Sequence, residues 1–363
     1  MKSGRVLING AGGFLGSHTV NAFLEAGYQV RATDIPGADL SWAAKKGVET
    51  VHADLASFQE AMHVVDGVDG VVNVAGLFNF SATYGALYTA NVQVSENMSR
   101  ASIDAGVKKF VHIATIGVYG EPKYTPMDEE GPKRPKNDYE RTKKLGDDVV
   151  TQYQRHHGLP ATILRPAPIY GPRSRYIHSD MFATAILMGS GAKTPALAFN
   201  DGTYCQHVHV ADVARACVLL MQKSETIGRA YNCGDLTPIK WNDLFDAIAT
   251  MVGVSDYKKL PWLGPVSKLL LRGMMKVVPQ SQLNKMSEQM SGAWRRVVEQ
   301  EGLVPALSPS IERDMLGYMV ADHIYDVSRL KALGFEWKYP DTVEGLRETH
   351  QWLVENRWIP APN

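Results

Sequence analysis

Short β-branched, apolar runs punctuate the first two-thirds of the chain, with stretches of helical composition between them. The runs are RVLIN (5–9), YQVRATD (28–34), ETVHADL (49–55), VDGVVNVAG (68–76), KKFVHIAT (108–115) and PATILRP (160–166). This is the rhythm of βαβ units, so the expected fold is α/β, a Rossmann-type doubly wound parallel sheet. Residues 1–172 are expected to carry that sheet. From Arg173 onward the rhythm fades and Met, Pro and basic residues increase, which predicts a smaller, mainly substrate-binding domain over 173–363. The run GRAYNCG (228–234) reads as one more strand returning to the sheet.

The stretch NGAGGFLG (9–16) follows the first strand-like run and opens the helix-like SHTVNAFLEAG. Strand, glycine turn and helix in that order make a phosphate cradle. Gly10 allows the tight turn, Gly13 the close approach of a pyrophosphate to backbone N–H groups, and Gly16 close helix–strand packing, with Phe14 and Leu15 in the first helical turn. Asp34 ends the second run 18 residues after Gly16, where a carboxylate accepts hydrogen bonds from both ribose hydroxyls and repels a 2′-phosphate. Ile35 and Pro36 supply no arginine for such a phosphate, and Arg31, three residues back on a strand, should face the other way. NAD is therefore expected in preference to NADP.

Tyr139 and Lys143 stand four residues apart in NDYERTKKLGDD, one above the other on a helix. An ammonium beside a phenol, together with an oxidised nicotinamide, favours the phenolate and makes a general base. Thr115 ends a predicted strand 24 residues earlier, placed to hold the same substrate oxygen. A Tyr–Lys pair alone also fits an ordinary helix surface.

These motifs occur in a fixed order: NGAGGFLG, HADL, VVNVAG, ANVQVSENM, ATIGVYG, YERTK, LRPAPIYGP and HVHVADVARA. In that order the chain resembles the extended short-chain dehydrogenases/reductases, and the likeness resumes in the tail YDVSRLKALGFEWKYPDTVEGLRETHQWL. The resemblance implies Tyr139 as acid/base, Lys143 on the nicotinamide ribose, and Thr115 in the place usually held by Ser. It also implies Asp54 and Leu55 by the adenine, Val74, Ala75 and Gly76 along the cofactor, and Pro166 and Ile169 near the nicotinamide. Asn91 matches a helix asparagine with either a structural or a proton-relay role. Relatives of this kind commonly pair as homodimers through the helix that carries the tyrosine.

Nucleotide-sugar members commonly place an Asn three residues after the Arg of LRPAP and a basic residue just before VHV. This chain has Pro168 and Cys205 there, and a diphosphate left without donors would be costly. Arg173, Arg175 and Lys193 remain as possible substitutes. The expected pocket is apolar, from Phe78, Phe80, Tyr84 and Tyr88, with Thr115, Gly117 and Pro168 at the reacting end, and Met181, Phe182, Met188 and Phe199 beyond. LRPAPIYGP resembles the 3β-hydroxysteroid and sterol 4-carboxylate dehydrogenase branch, which implies oxidation of a sterol-like alcohol, with decarboxylation where a neighbouring carboxylate exists. A nucleotide-sugar epimerase or dehydratase and a non-catalytic membrane-associated scaffold are the competing readings.

Charge adds one local feature. Lysine plus arginine and aspartate plus glutamate both number 38, so nucleic acid is not an expected partner. Residues 257–287 nevertheless carry six basic residues (Lys258, Lys259, Lys268, Arg272, Lys276, Lys285) and no acid. Lys268, Arg272 and Lys276 form a stripe beside Leu269, Leu270, Leu271, Met274, Met275, Val277 and Val278. With Trp262 nearby, 261–279 is expected to be a membrane-surface helix, a lid, or both. Cys205, Cys217 and Cys233 have no metal-type spacing, His207 and His209 lack a third ligand, and so no metal site is expected. A three-residue apolar run near the start is too short for a signal core, which predicts a cytoplasmic protein, with peripheral membrane contact through 261–279.

Overall fold

Every one of the seven strand-like runs forms a strand of a single sheet: β1 Arg5–Asn9, β2 Gln29–Asp34, β3 Glu49–His52, β4 Gly70–Asn73, β5 Lys109–Ile113, β6 Ala161–Pro166 and β7 Ala230–Cys233. The spatial order is β7-β6-β5-β4-β1-β2-β3 with all neighbours parallel. The structure is a computed structural model that describes residues 4–190, 201–255, 257 and 259–362, without the side chains of 274–276. Lys193, Phe199 and Lys258, and the side chains of Met274, Met275 and Lys276, thus lie outside the described residues.

Helices cover both faces. They are α1 Phe14–Glu25, α2 Phe58–Val65, α3 Val94–Asp104, α4 Asp138–His157, α5 His178–Gly189, α6 Val210–Gln222, α7 Trp241–Met251, α8 Pro265–Val277, α9 Gln280–Glu301, α10 Arg313–Gly317 and α11 Thr342–Glu355. Strand alternation sorts the core: Val6 and Ile8 enter one apolar layer with Val20 and Phe23 of α1 and Val213 and Leu220 of α6, while Leu7 enters the other with Val64, Met98 and Val150. A third cluster, with Phe182, Trp241, Leu244, Trp294 and Leu353, is the core of the smaller unit. The division at 172/173 is not clean, because α6 packs on α1 and Tyr325, Leu330 and Phe335 join the first sheet layer. The three cysteines are buried and free.

Helix α4 is the element that matters for the site. The Asn137 side chain caps its start by accepting from the Glu140 N–H at 2.9 Å, and Gly158 at φ +73° ends it. Gly146 lets the helix lie against residue 91, because a Cβ there would overlap the Asn91 carbonyl. A buried ion pair then ties α4 to β6: Arg165 Nε donates to Asp147 at 2.8 Å, while the same guanidinium reaches the Tyr119 hydroxyl at 2.9 Å and the Glu129 carbonyl at 3.0 Å. Lys133 adds a bond to Asp147 at 2.7 Å. Burial alone would raise the Asp147 pKa, but the Arg165 and Lys133 charges outweigh it and hold the carboxyl at about 2.

Removing one partner of such a pair strands a buried charge, so Asp147→Asn should cost about 3–5 kcal/mol in urea unfolding. The folded carboxyl titrates below its unfolded value. Its contribution is therefore complete above about pH 4 and fades as pH falls toward 2, and the gap between wild type and variant should close over that window.

Candidate active site

The sheet reverses direction of winding between β1 and β4, and a crevice opens beyond the C-terminal ends of those two strands. Its floor is cross-tied. Asn9 Nδ2 donates to Asn73 Oδ1 at 2.6 Å, and the Asn9 Oδ1 accepts the N–H groups of Val74 and Ala75 at 2.7 and 2.8 Å. Gly10 turns the chain at φ +65°, and a Cβ there would lie 3.0 Å from the Ala75 backbone. At Gly16 a Cβ would overlap the Gly10 carbonyl, so no other residue lets α1 start this close to β1. No described side chain caps α1 at Gly13, which leaves the positive helix end beside Phe14 and Leu15 open to a pyrophosphate.

Asp34 closes the rim. Its Oδ2 accepts the Gly12 N–H at 2.8 Å and its Oδ1 the Ile35 N–H at 2.8 Å, so the carboxylate is held at the crevice edge. Arg31 is engaged elsewhere, with Glu49 at 2.9 Å and the carbonyls of Val64 and Asp66 at 2.9 and 2.7 Å. These residues fit a dinucleotide with free ribose hydroxyls. Asp54 accepts the Ala56 N–H at 3.0 Å within its own turn, and Leu55 is buried in the second apolar layer.

The catalytic candidates converge beyond β4 and β5. Thr115 follows β5, and its hydroxyl accepts the Gly117 N–H at 3.1 Å. Burial pushes the Tyr139 pKa above the ordinary phenol value, the neighbouring Thr115 hydroxyl pulls it back, and the nearby Glu140 adds to the rise. Lys143 donates to the Ile113 carbonyl at 2.7 Å, and its Nζ would lie 3.6 Å from a Cβ at Gly76. Burial lowers the Lys143 pKa to about 8, with Asp147 acting the other way. Burial thus sets the phenol above its ordinary value among these side chains, and the expected phenolate requires the positive charge of an oxidised nicotinamide as well as the ammonium.

Asn91 bridges two elements of the site. Its Oδ1 accepts the Leu77 N–H at 2.9 Å and its Nδ2 donates to the Thr142 hydroxyl at 3.1 Å, joining the loop after β4 to α4. It sits in a π-helical turn, Thr89–Gln93, a widening that aims the amide inward. Pro166 ends β6, the Pro168 carbonyl accepts the Val208 N–H at 3.2 Å, and Ile169 pairs with Val208 in a two-residue strand.

Phe78 and Phe80 flank the Tyr139 ring edge-on, with centroids at 5.0 and 5.7 Å, and Tyr176 stands 5.2 Å from Phe78. From there an open cleft with a cavity of about 180 Å³ runs toward the helices of the C-terminal half. Its walls include Met181, Met188, Trp241, Met290, Met315 and Met319, together with two acids, Asp180 and Glu312. Tyr84 and Tyr88 were expected in this wall and are not part of it: one turn apart on the short helix Tyr84–Tyr88, they pack on each other and face solvent. Thr115, Gly117 and Pro168 also lie outside the lining of the cleft, and Gly117 is buried against Glu140. Phe182 turns into the core against His350. Sequence reasoning missed Asp180, Tyr176, Trp241 and the methionines of α9 and α10; the one available signal was a lone acid in the apolar helix HSDMFATAILMG.

Arg173, Arg175, His207 and His209 meet protein partners. The Arg173 guanidinium lies over Trp42 at 5.9 Å and Arg175 over Trp358 at 5.5 Å. His207 bonds Cys205 and His178, each at 2.9 Å, and His209 meets Glu348 at 3.0 Å.

Comparison with known proteins places this geometry. A UDP-glucose 4-epimerase of Azospirillum brasilense is 29% identical over 253 residues, 64% of this chain and 73% of the relative. A 3-beta-hydroxysteroid dehydrogenase of Mycolicibacterium neoaurum is 27% identical over 286 residues, 75% of each chain. Among solved structures, a dTDP-glucose 4,6-dehydratase from Streptomyces venezuelae with NAD bound superposes with a TM-score of 0.72 at 22% identity, covering 98% of both chains. The UDP-glucose 4-epimerase of Thermotoga maritima gives 0.71 at 22% identity, over 97% of this chain and 99% of the other. Those two likenesses concern the fold. The family profile described as NAD dependent epimerase/dehydratase matches residues 6–234, well over half of the sequence. The crevice, its glycines and Asp34 thus lie in a chain that belongs to the NAD-dependent epimerase/dehydratase family.

Proposed function

We propose that the protein oxidises a ring secondary alcohol on an apolar, steroid- or sterol-like substrate. One observation carries this choice over a nucleotide sugar. Among the described residues no lysine or arginine lines the cleft that leads to Tyr139, while Asp180 and Glu312 do. A diphosphate in that cleft would meet two acids and no donor of positive charge, at a cost of several kcal/mol for each buried, uncompensated charge, on the order of what isolated buried ions carry. The aromatic and methionine walls instead suit a flat hydrocarbon body. The UDP-glucose 4-epimerase relative supports the competing reading, and net cofactor reduction separates the two.

NAD held in the crevice supplies a hydride acceptor. Thr115 and Tyr139 would hold the substrate hydroxyl through their own oxygens, and the Tyr139 oxygen takes its proton as the carbon-bound hydrogen leaves with its electron pair, giving a ketone. Lys143 keeps a positive charge beside Gly76 below about pH 8, and the π-turn clamp at Asn91 fixes its helix. Phe78 and Phe80 shield the phenol from water.

The cleft also supports delivery from a lipid surface. Helix α8 packs on α10, whose Met315 and Leu316 line the cleft, and it presents Val266, Leu269, Leu270 and Val277 outward beside the preceding Leu263, Leu269 being 71% exposed. The basic stripe is partly spent, because Arg272 bonds Glu121 at 2.6 Å, so adsorption rests mainly on the apolar face. Among the described residues no helix is long and apolar enough to cross a membrane.

With NAD and a panel of 3β-hydroxysteroids, sterols and sugar nucleotides, NADH absorbance should appear with a steroid or sterol only. Unreduced, tightly retained NAD alongside sugar-nucleotide turnover would reject the proposal. Tyr139→Phe should cut kcat by about 10³-fold or more while NAD affinity measured by calorimetry stays within about threefold. In vesicle sedimentation with phosphatidylcholine and phosphatidylglycerol, the intact protein should pellet and the Leu269→Glu/Leu270→Glu variant should remain in the supernatant; equal pelleting would remove the lipid contact.

A further inference from the structure

The proposed oxidation uses neither of the two acids described in the cleft wall, Asp180 and Glu312, and Asp180 is the one with a buried, unpartnered oxygen. It sits in the first turn of α5, directly after Tyr176 and Ile177, which themselves line the cleft; Ile177 has φ +42°, a conformation that side-chain-bearing residues rarely adopt. The Asp180 Oδ1 is buried and has no hydrogen-bond partner among the described residues; only its backbone carbonyl is engaged, by the Thr184 hydroxyl at 2.7 Å. Around it stand Met181, Met188, Met315 and Met319, and the nearest charge is another acid, Glu312. A buried carboxyl left without a partner costs stability, which a ligand group arriving in the cleft would recover.

The carboxyl also stands apart from the reacting atoms: Asp180 lines the cleft, whereas Thr115 and Tyr139 do not, and Phe78 and Phe80 link the two by lining the cleft and packing on the Tyr139 ring. We infer that Asp180 is a specificity residue that binds a second, uncharged oxygen of the substrate, a carbonyl or hydroxyl remote from the alcohol being oxidised. Burial and Glu312 hold its pKa up at about 8, so near neutrality the group is the acid form and donates its proton to such an oxygen. An ammonium would need an ionised partner and would lose its own hydration on entering apolar walls, so a neutral oxygen fits the site better. The inference rests on the apolar-substrate reading of the same cleft.

A matched pair of probes tests it: a 3β-hydroxysteroid with a 17-ketone and its 17-deoxy analogue, titrated by calorimetry into NADH-loaded enzyme so that no turnover is needed. Wild type should bind the ketone about tenfold more tightly than the deoxy compound, the worth of one buried hydrogen bond. Asp180→Leu should abolish that preference by weakening the ketone alone, and Asp180→Asn, which keeps a donor, should retain most of it. Equal loss for both steroids, an undiminished preference in Asp180→Leu, no binding of either steroid, or tighter binding of a 17-amino analogue would overturn the inference. Parallel NADH measurements with NAD keep the two ideas apart. An Asp180-dependent preference without NADH would leave this assignment standing and remove the oxidation, whereas NADH formation with an Asp180-independent preference would do the reverse.

Discussion

The proposed chemistry depends on one helix being held against the end of the sheet, and the buried Arg165–Asp147 pair ties that helix to β6. Arg165 comes from β6 and Asp147 from the middle of α4, so the pair fixes the helix along its axis and around it. Tyr139 and Lys143 are carried on the same rigid rod, two turns and one turn toward its N-terminus. The phenol thereby comes beside Thr115, just after β5, and the ammonium meets the Ile113 carbonyl at the end of that strand. Asn91 and Gly146 complete the grip from the opposite side, one by hydrogen bonds and the other by having no side chain. A catalytic constellation drawn from separate strands and a helix needs such ties, because a displacement of an ångström costs far more rate than stability.

The dinucleotide crevice and the cleft beside it follow different physical rules. The crevice is made of backbone: glycines that permit contact, a helix end and one carboxylate. Its requirements are steric and leave little room for variation. The cleft is made of side chains from the smaller unit, and side chains there decide which molecule is welcome. This is why a chain can share the fold of sugar-nucleotide enzymes over nearly its whole length while, among the described residues, its cleft is lined by two acids and no lysine or arginine. Fold likeness speaks for the crevice, and the walls speak for the substrate.

The legible and illegible parts of the sequence divide along the same line. The sheet could be read strand by strand because each strand is a local run of apolar residues, and the glycine turn, Asp34, Thr115, Tyr139 and Lys143 stand at strand ends or on one helix, where sequence spacing converts directly into position. The wall of the cleft could not. It is assembled from residues 78–80, 176–188, 241–245, 290 and 310–319, brought together only by tertiary packing. Phe78 and Phe80 were recoverable because they follow β4; Tyr84 misled because a helix of five residues begins between them and turns it outward. The insert at 261–279 was recognisable as an amphipathic helix, yet its cations looked free only because Glu121, well over a hundred positions away in the chain, gives no local sign of its bond to Arg272.

The methionine-rich wall has a consequence for selectivity. Met181, Met188, Met290, Met315 and Met319 carry unbranched thioethers with three rotatable torsions each, so the surface they form remoulds to a ring system's outline with little backbone cost. A wall that yields in this way discriminates poorly by contour. Discrimination then falls to the few rigid or polar points facing the guest, and on the apolar-substrate reading proposed above a family of related hydrocarbon skeletons would share one binding chamber.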